Sequence, residues 1–383
     1  MRTRIVAATV VATLVAVIGT STSGFGARDA REVAISRAPV ALPFANATST
    51  STTSTTSTTL PPTTSTTSTT STTSTTSTTT SSSTTSTTTP LNCTEGTITV
   101  GDQPFTIVMN SAGTIAYLGN SAGSSVSVID TSDNSVTATY TLLGGVGALA
   151  LNPSGTRLYV VGSTSITVLD TSDGSVVGSV VAGPGAMAFS PDGTRLYVVN
   201  SADGSISVVD TSTLTVLTTV TFSFGITVSP VALVADASYL YVGLAEGVIM
   251  VLDRATNTLV EGASLTVDQY PKDMFFDSSG RLYVSTVYDD FIYVLDVSTP
   301  AELVIDQEIE MPNNIMGMAL NPAGTLLYVT MNTSDEVKVI DVSDYSIVDT
   351  FTTAVNPYDI AFSSSTGGAY VVSLDEDSVE VFC

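Results

Sequence analysis

The sequence predicts an all-β protein, a seven-bladed β-propeller preceded by a Ser/Thr-rich stalk. Three observations support this fold class. Tyrosine begins a short apolar strand seven times between residues 93 and 383, at spacings of 38 to 45 residues. The surrounding segments are rich in Val, Ile, Thr and Tyr and show no helical periodicity. A repeat of about 40 residues containing about four short strands is typical of propellers.

Each repeat has the same order of strands and turns. An apolar strand such as residues 186–189 leads into Ser190-Pro191-Asp192-Gly193, where Pro second and Gly fourth fit a type I turn. The tyrosine strand follows, then an alternating strand that ends at an aspartate, then an outer strand such as residues 176–182. The tyrosines are Tyr117, Tyr159, Tyr197, Tyr241, Tyr283, Tyr328 and Tyr370, and the aspartates are Asp130, Asp170, Asp210, Asp253, Asp296 and Asp341.

The first 92 residues predict export and a stalk. Arg2 and Arg4 precede an apolar run at 5–18 and small residues up to Gly26, which is the pattern of a secretory signal over residues 1–26. The run is shorter than the ~20 residues that span a bilayer. After a spacer at 27–47, residues 48–92 are a Ser/Thr/Pro-rich tract that we expect to be disordered, with or without O-linked sugars. We therefore expect a secreted or cell-surface protein without membrane association beyond the signal.

Charge and composition exclude several function classes. The chain has no histidine, so neither a histidine-ligated metal site nor a Ser–His or Cys–His nucleophilic pair can form. Residues 93–383 contain 6 basic and 33 acidic side chains, a formal charge of −27. Such a surface repels phosphate backbones, because no counterion release favours their approach. We therefore expect no nucleic-acid partner.

The repeat resembles the YVTN β-propeller repeat of bacterial secreted proteins and surface-layer-type proteins. The resemblance covers Cys93 to Cys383 and rests on strands such as YVVN at Tyr197 and YVTM at Tyr328. It implies the propeller fold and a secreted or surface location, but no single activity. The family includes a DNA-binding member and resembles lactonase propellers. The charge and the missing histidine argue against transferring either role.

The chain enters and leaves the repeat out of phase, which predicts how the ring closes. Residues 97–100 resemble an outer strand, and residues 379–383 match a third strand. The last blade should therefore combine one N-terminal strand with three C-terminal strands, leaving no free sheet edge. Aligning Pro104 with Pro357 places Cys93 and Cys383 beside the same hairpin turn. We expect a disulfide between them.

One face of the ring is asymmetric. Its loops are small in the first three blades, as at Gly145, Gly183-Pro184 and Ser163-Thr164, and bulky and polar in the last three. Aromatic rings among amides and carboxylates suit contact with a protein or a glycan, although ordinary variation among loops explains the pattern slightly better. The candidate binding face comprises Tyr270, Lys272, Asp273, Tyr288, Asp289, Asp290, Asn313, Asn314, Asn332, Tyr358 and Asp359.

We expect a monomeric, non-catalytic recognition or scaffold module for an extracellular protein or glycan. One alternative is a lactonase-like or lyase-type enzyme that uses carboxylates such as Asp273 and Asp359, with or without calcium. Another is a purely structural cell-envelope protein. We assign no catalytic residue and no cofactor and leave the metal question open, since Asp289-Asp290 and Asp375-Glu376-Asp377 offer the oxygen ligands of a weak calcium site.

Overall fold

The computed structural model describes residues 93–383 apart from 223–227, 289–290 and 313. The regular elements in these residues are 28 β-strands, and no helix among them is long and apolar enough to cross a membrane. The strands form seven four-stranded antiparallel sheets. The predicted all-β, seven-bladed propeller is therefore confirmed. The predicted signal, spacer and stalk at 1–26, 27–47 and 48–92 lie outside the described residues.

The strands are numbered in chain order, and each sheet is one blade. The first strand of the chain is β1 (Gly96–Thr99). Blade one contains β2 (Pro104–Met109), β3 (Ile115–Asn120), β4 (Ser125–Asp130) and β5 (Ser135–Thr141). Blade two contains β6 (Leu149–Leu151), β7 (Arg157–Val161), β8 (Ile166–Asp170) and β9 (Val176–Val180). Blade three contains β10 (Met187–Phe189), β11 (Arg195–Asn200), β12 (Ser205–Asp210) and β13 (Thr215–Val220).

The remaining four blades repeat this order. Blade four contains β14 (Pro230–Ala235), β15 (Tyr239–Leu244), β16 (Val248–Asp253) and β17 (Thr258–Thr266). Blade five contains β18 (Pro271–Phe276), β19 (Leu282–Thr286), β20 (Phe291–Asp296) and β21 (Val304–Glu310). Blade six contains β22 (Ile315–Leu320), β23 (Leu326–Met331), β24 (Glu336–Asp341) and β25 (Ile347–Thr352). Blade seven contains β26 (Pro357–Phe362), β27 (Ala369–Ser373), β28 (Ser378–Phe382) and β1.

The hydrophobic core lies between neighbouring blades. One cluster joins Tyr241 and Val251 of blade four to Leu282 and Val284 of blade five, all fully buried. The next joins Tyr283 of blade five to residues of blade six, including the fully buried Leu327. The repeated tyrosine is therefore a packing residue, because its ring reaches the adjacent sheet and removes a large apolar area from water.

The turns behave as their sequences predict. Gly155 and Gly193 both have a left-handed backbone and donate their N–H to the carbonyl three residues earlier, at 2.8 Å. Aspartates that end the third strands accept hydrogen bonds from turn amides; Asp130 and Asp210 accept the N–H of Ser132 and Ser212 at 2.8 and 2.9 Å. These short-range bonds fix the hairpins from local sequence alone.

Blade seven closes the ring as predicted. Its strand order is β1-β28-β27-β26, and β1 pairs antiparallel with β28 so that Gly96 lies opposite Val381. Cys93 and Cys383 form a disulfide with their Cα atoms 5.7 Å apart. The predicted closure and disulfide are both confirmed.

Candidate functional site

A ring of seven side-chain positions surrounds the mouth of the central channel. In each blade this position lies two residues before the apolar core residue of the innermost strand. Around the ring it is occupied by Phe105, Gly147, Gly185, Val231, Lys272, Met316 and Tyr358. The bulky members belong to blades one and five to seven, and the two glycines belong to blades two and three. We call this set the mouth ring.

The glycines leave room for a cavity on one side of the mouth ring. Its volume is about 650 Å³, within the range typical of small-ligand pockets. Gly147, Gly185 and the loop residues Gly144 and Gly162 line one wall. Phe105, Tyr270, Lys272 and Tyr358 are among the residues of the rest. The asymmetry predicted from the loops therefore appears as a one-sided pocket, which we call the mouth pocket.

Aromatic rings form the bulky side of the mouth pocket. Phe105 and Tyr358, which are 253 positions apart in the chain, have ring centroids 4.6 Å apart. Tyr270 packs edge-on against Tyr288 at 5.7 Å, and Tyr288 is 65% exposed. The Lys272 ammonium lies 3.9 Å from the centroid of the Tyr358 ring, a close cation–π contact.

Tyr270 has a strained backbone that aims it at the mouth pocket. Its φ is +62°, a left-handed conformation that is uncommon for a bulky residue. Its N–H donates to the Ala245 carbonyl of blade four, and its own carbonyl accepts the Val287 N–H, both at 3.2 Å. These bonds hold the ring at the junction of blades four and five.

Asp273 and Asp359 lie one position further along their strands and bridge neighbouring blades. Asp273 accepts the Met318 N–H of blade six at 3.0 Å, and Asp359 accepts the Ile107 N–H of blade one at 2.9 Å. Both carboxylates line a second cavity of about 250 Å³ that shares Phe105, Lys272 and Tyr358 with the mouth pocket. Both carboxylates therefore face the channel and link neighbouring blades by hydrogen bonds, rather than lying on the outer surface.

The channel environment raises the pKa of both carboxyl groups. Removal from bulk water raises the pKa of Asp273 to about 6, and the nearby Asp359 carboxylate adds to the increase. Loss of solvent likewise raises the pKa of Asp359. The Lys272 ammonium and the main-chain N–H donors oppose both shifts, because they favour the ionised carboxylate. A single ammonium thus faces two carboxylates.

The structure gathers only part of the predicted face. Tyr270, Lys272 and Tyr358 line the mouth pocket, and Tyr288 supports it from outside. Asn314 and Asn332 line neither the mouth pocket nor the second cavity. Asp289, Asp290 and Asn313 lie outside the described residues.

Several mouth-ring residues were missed by sequence reasoning. Phe105 and Met316 lie in strands whose sequences resemble ordinary core strands. Gly147 and Gly185 contribute to the mouth pocket only by lacking a side chain. Proline begins the inner strand in blades one, four, five and seven, so counting one residue onward finds Phe105, Val231, Lys272 and Tyr358. The position after this proline was therefore the sequence signal that could have identified these four members of the mouth ring.

The acidic loop at 375–377 uses its carboxylates within the protein. Asp377 accepts the Gln103 N–H at 2.9 Å, and Asp375 accepts an amide N–H of Asn356 at 3.2 Å. Within the described ranges, no group of three Cys, Asp or Glu side chains is arranged to hold a metal ion. The Asp289-Asp290 pair is outside those ranges.

Comparison with known proteins supports the fold. No family model matches the chain. The chain is 25% identical over 275 residues to the uncharacterized protein YncE of Salmonella typhimurium, over 70% of this chain and 68% of YncE; YncE of Salmonella typhi matches to the same extent. A chain of hydrazine synthase from Kuenenia stuttgartiensis superposes with a TM-score of 0.63 at 18% identity, covering 74% of this chain and 96% of that one. The β-propeller domain of Cps50 (Swd1) from Myceliophteria thermophila gives 0.64 at 14% identity, covering 75% and 99%.

Proposed function

We propose that this protein is a non-catalytic recognition or scaffold module that binds an extracellular protein or glycan at the mouth pocket. The observation that carries the proposal is the one-sided mouth ring, in which glycines open a cavity opposite Phe105, Lys272 and Tyr358. Rigid aromatic rings offer a large contact area at little cost in conformational entropy, and such rings dominate binding sites. Loops held by a rigid sheet scaffold are a common place for recognition.

We propose that the repeats belong to the YVTN type and that the protein works outside the cell. The seven tyrosine-headed strands support the first point. The signal-like residues 1–26, the Ser/Thr-rich tract and the Cys93–Cys383 disulfide support the second, because disulfides persist in oxidising compartments. Mass spectrometry of the exported protein should find an N-terminus near Gly26. An intact Met1 in the extracellular fraction would contradict this.

Site-specific crosslinking tests recognition at the mouth pocket. A photoreactive residue in place of Tyr288, at the pocket rim, should crosslink one defined partner on intact cells or on a panel of proteins and glycans. The control position is Val176 on the outer strand β9, which is 64% exposed, against 65% for Tyr288. Equal labelling from both positions would overturn the proposal.

A pocket-filling variant gives the matching loss of function. The three atoms nearest to a Cβ at Gly147 would all belong to Val161, at 3.4 to 3.6 Å, an ordinary contact distance. Gly147→Leu should therefore fold, fill the mouth pocket and abolish the Tyr288 crosslink. Gly96→Leu is the control, because the space around a Cβ at that outer-strand position is open. Undiminished crosslinking in Gly147→Leu would place recognition elsewhere.

An enzymatic role is the second candidate, and one observation favours it. Asp273 lines a cavity and has a pKa of about 6, which suits a general acid or base near neutral pH. The hydrogen bond that the Asp273 carboxylate accepts from the Met318 N–H instead supports a structural role. Lactone and glycoside turnover that is lost in Asp273→Asn would support the enzyme. Absence of turnover by the wild type would leave the recognition module.

A further inference from the structure

The proposed function leaves two ligand classes, a protein and a glycan. The charge on the face of the ring that carries the mouth pocket distinguishes between them. The loops joining second to third strands and outer to inner strands lie on the face of the ring that carries the mouth pocket. Their described residues contain no lysine or arginine and eight acidic residues. These are Asp102, Asp203, Glu246, Asp268, Asp335, Asp375, Glu376 and Asp377. Lys272 is the one basic residue of the mouth ring.

The mouth ring combines aromatic rings with buried carboxylates. The Lys272 ammonium lies 3.9 Å from the centroid of the Tyr358 ring. Asp273 and Asp359 adjoin that ammonium, so the channel retains net negative charge when both carboxyl groups are ionised. Phe105 and Tyr270 add further rings at the pocket, and Tyr288 packs against Tyr270 from outside. Aromatic faces and enclosed negative charge both attract cations and both disfavour anions.

We infer that the mouth pocket binds a cationic side chain, a lysine or an arginine, of a partner protein. This inference rests on the proposed function and names its ligand class. The aliphatic stem of the side chain packs along the glycine wall at Gly147 and Gly185, and its charged head lies among the rings and above the channel carboxylates. The acidic loops draw a basic partner surface towards the mouth by long-range attraction.

Neutral isosteres isolate the contribution of charge. The full chain is titrated by calorimetry with Gly-Gly-Arg-Gly-Gly and with the same peptide carrying citrulline, and then with the lysine and norleucine pair. Each cationic peptide should bind about tenfold more tightly than its neutral partner, and the difference should shrink in high salt. Equal affinities within both pairs, or no measurable binding of either cationic peptide, would overturn the inference.

A pair of matched variants locates the binding. Phe105→Leu removes a pocket ring and keeps apolar bulk, so it should bring the arginine peptide towards the affinity of the citrulline peptide. Phe351→Leu on β25 is the control, because that ring contacts Phe382 at 4.4 Å, much as Phe105 contacts Tyr358, but lies away from the mouth pocket. Equal effects of the two variants would contradict the assigned site.

The peptide titration and the crosslinking experiment fail separately. One outcome is that position 288 crosslinks a partner, that Gly147→Leu abolishes this crosslink, and that no cationic peptide binds. Recognition at the mouth pocket then stands, and the inference that its ligand is a cationic side chain is wrong. A glycan captured in that case would identify the other ligand class. If crosslinking also fails, the proposed function itself is wrong.

Discussion

At the scale of single residues, Asp273 combines a structural bond with an unfavourable charge. Its carboxylate accepts the Met318 N–H at 3.0 Å, yet desolvation and the proximity of Asp359 raise its pKa to about 6. Lys272 offsets part of this increase. A carboxyl whose pKa is raised on folding contributes stability that is complete below its unfolded pKa of 3.8 and is lost as the pH rises through about 6. The hydrogen bond and the ionisation therefore act in opposite directions.

Substitution of Asp273 should separate these two effects. Asp273→Asn retains an oxygen acceptor for the Met318 N–H and removes the charge. The difference in melting temperature between this variant and the wild type should therefore increase in favour of the variant from pH 4 to pH 7. Asp273→Ala leaves the Met318 N–H without that acceptor and should lower the free energy of unfolding by about 1–3 kcal/mol. Denaturant unfolding at several pH values measures both. A constant difference between Asp273→Asn and wild type across that pH range would contradict this account.

At the scale of strands, the inner strands pack so closely around the channel that a side chain at one position would crowd the neighbouring blade. Gly317 on β22 occupies the place of Asp273 and Asp359 in the neighbouring blades. A Cβ there would approach the Asp359 Cα and the Tyr358 carbonyl at 3.0 Å, and the Asp359 Oδ1 at 3.2 Å. The Gly317 N–H also donates to Thr330 Oγ1 at 2.8 Å. Glycine at this position lets blades six and seven meet beside the Asp359 carboxylate.

A methyl group at position 317 should therefore be costly. We expect Gly317→Ala to lower the free energy of unfolding by about 1–3 kcal/mol, because backbone atoms must move apart. Gly96→Ala on β1 is the control, since a Cβ there has open space and alanine reduces the entropy of the unfolded chain. The control should be neutral or slightly stabilising in urea unfolding. Equal destabilisation by both substitutions would show that tight packing is not the reason for glycine at 317.

At the scale of the whole molecule, closure depends on a strand pair and a disulfide that join the two ends of the folded region. β1 and β28 pair through four residues each, and the Cys93–Cys383 bond encloses 290 positions of chain. A crosslink of this span restricts the unfolded chain strongly, by roughly 5–6 kcal/mol in the chain-entropy model.

Loss of the disulfide should destabilise the entire ring. Cys93→Ser with Cys383→Ser, or reduction of the wild type, should lower the melting temperature markedly, with blade seven opening first. Calorimetry measures the stability, and hydrogen exchange at β1 and β28 reports local opening. The control is Ser346→Ala, a change at an outer hairpin turn. An unchanged melting temperature after complete reduction would contradict a stabilising role for the bond.

The sequence by itself determined the fold, the blade count and the closure. Turns such as 190–193 depend on hydrogen bonds between residues within a few positions, and the tyrosine strands are short apolar runs at a fixed place in each repeat. Both can therefore be recognised in a single repeat. The out-of-phase ends and the two cysteines then specified blade seven. Seven copies reinforced each inference.

Only the tertiary structure decided the composition of the site. Phe105 meets Tyr358 because the ring closes, and the wall formed by Gly147 and Gly185 matters only opposite the rings of distant blades. Likewise, Asp359 was visible as a polar residue, but its bond to the Ile107 N–H exists because blade seven lies beside blade one. The physical reason is that local bonds form hairpins, whereas a channel mouth is assembled from one residue of every blade.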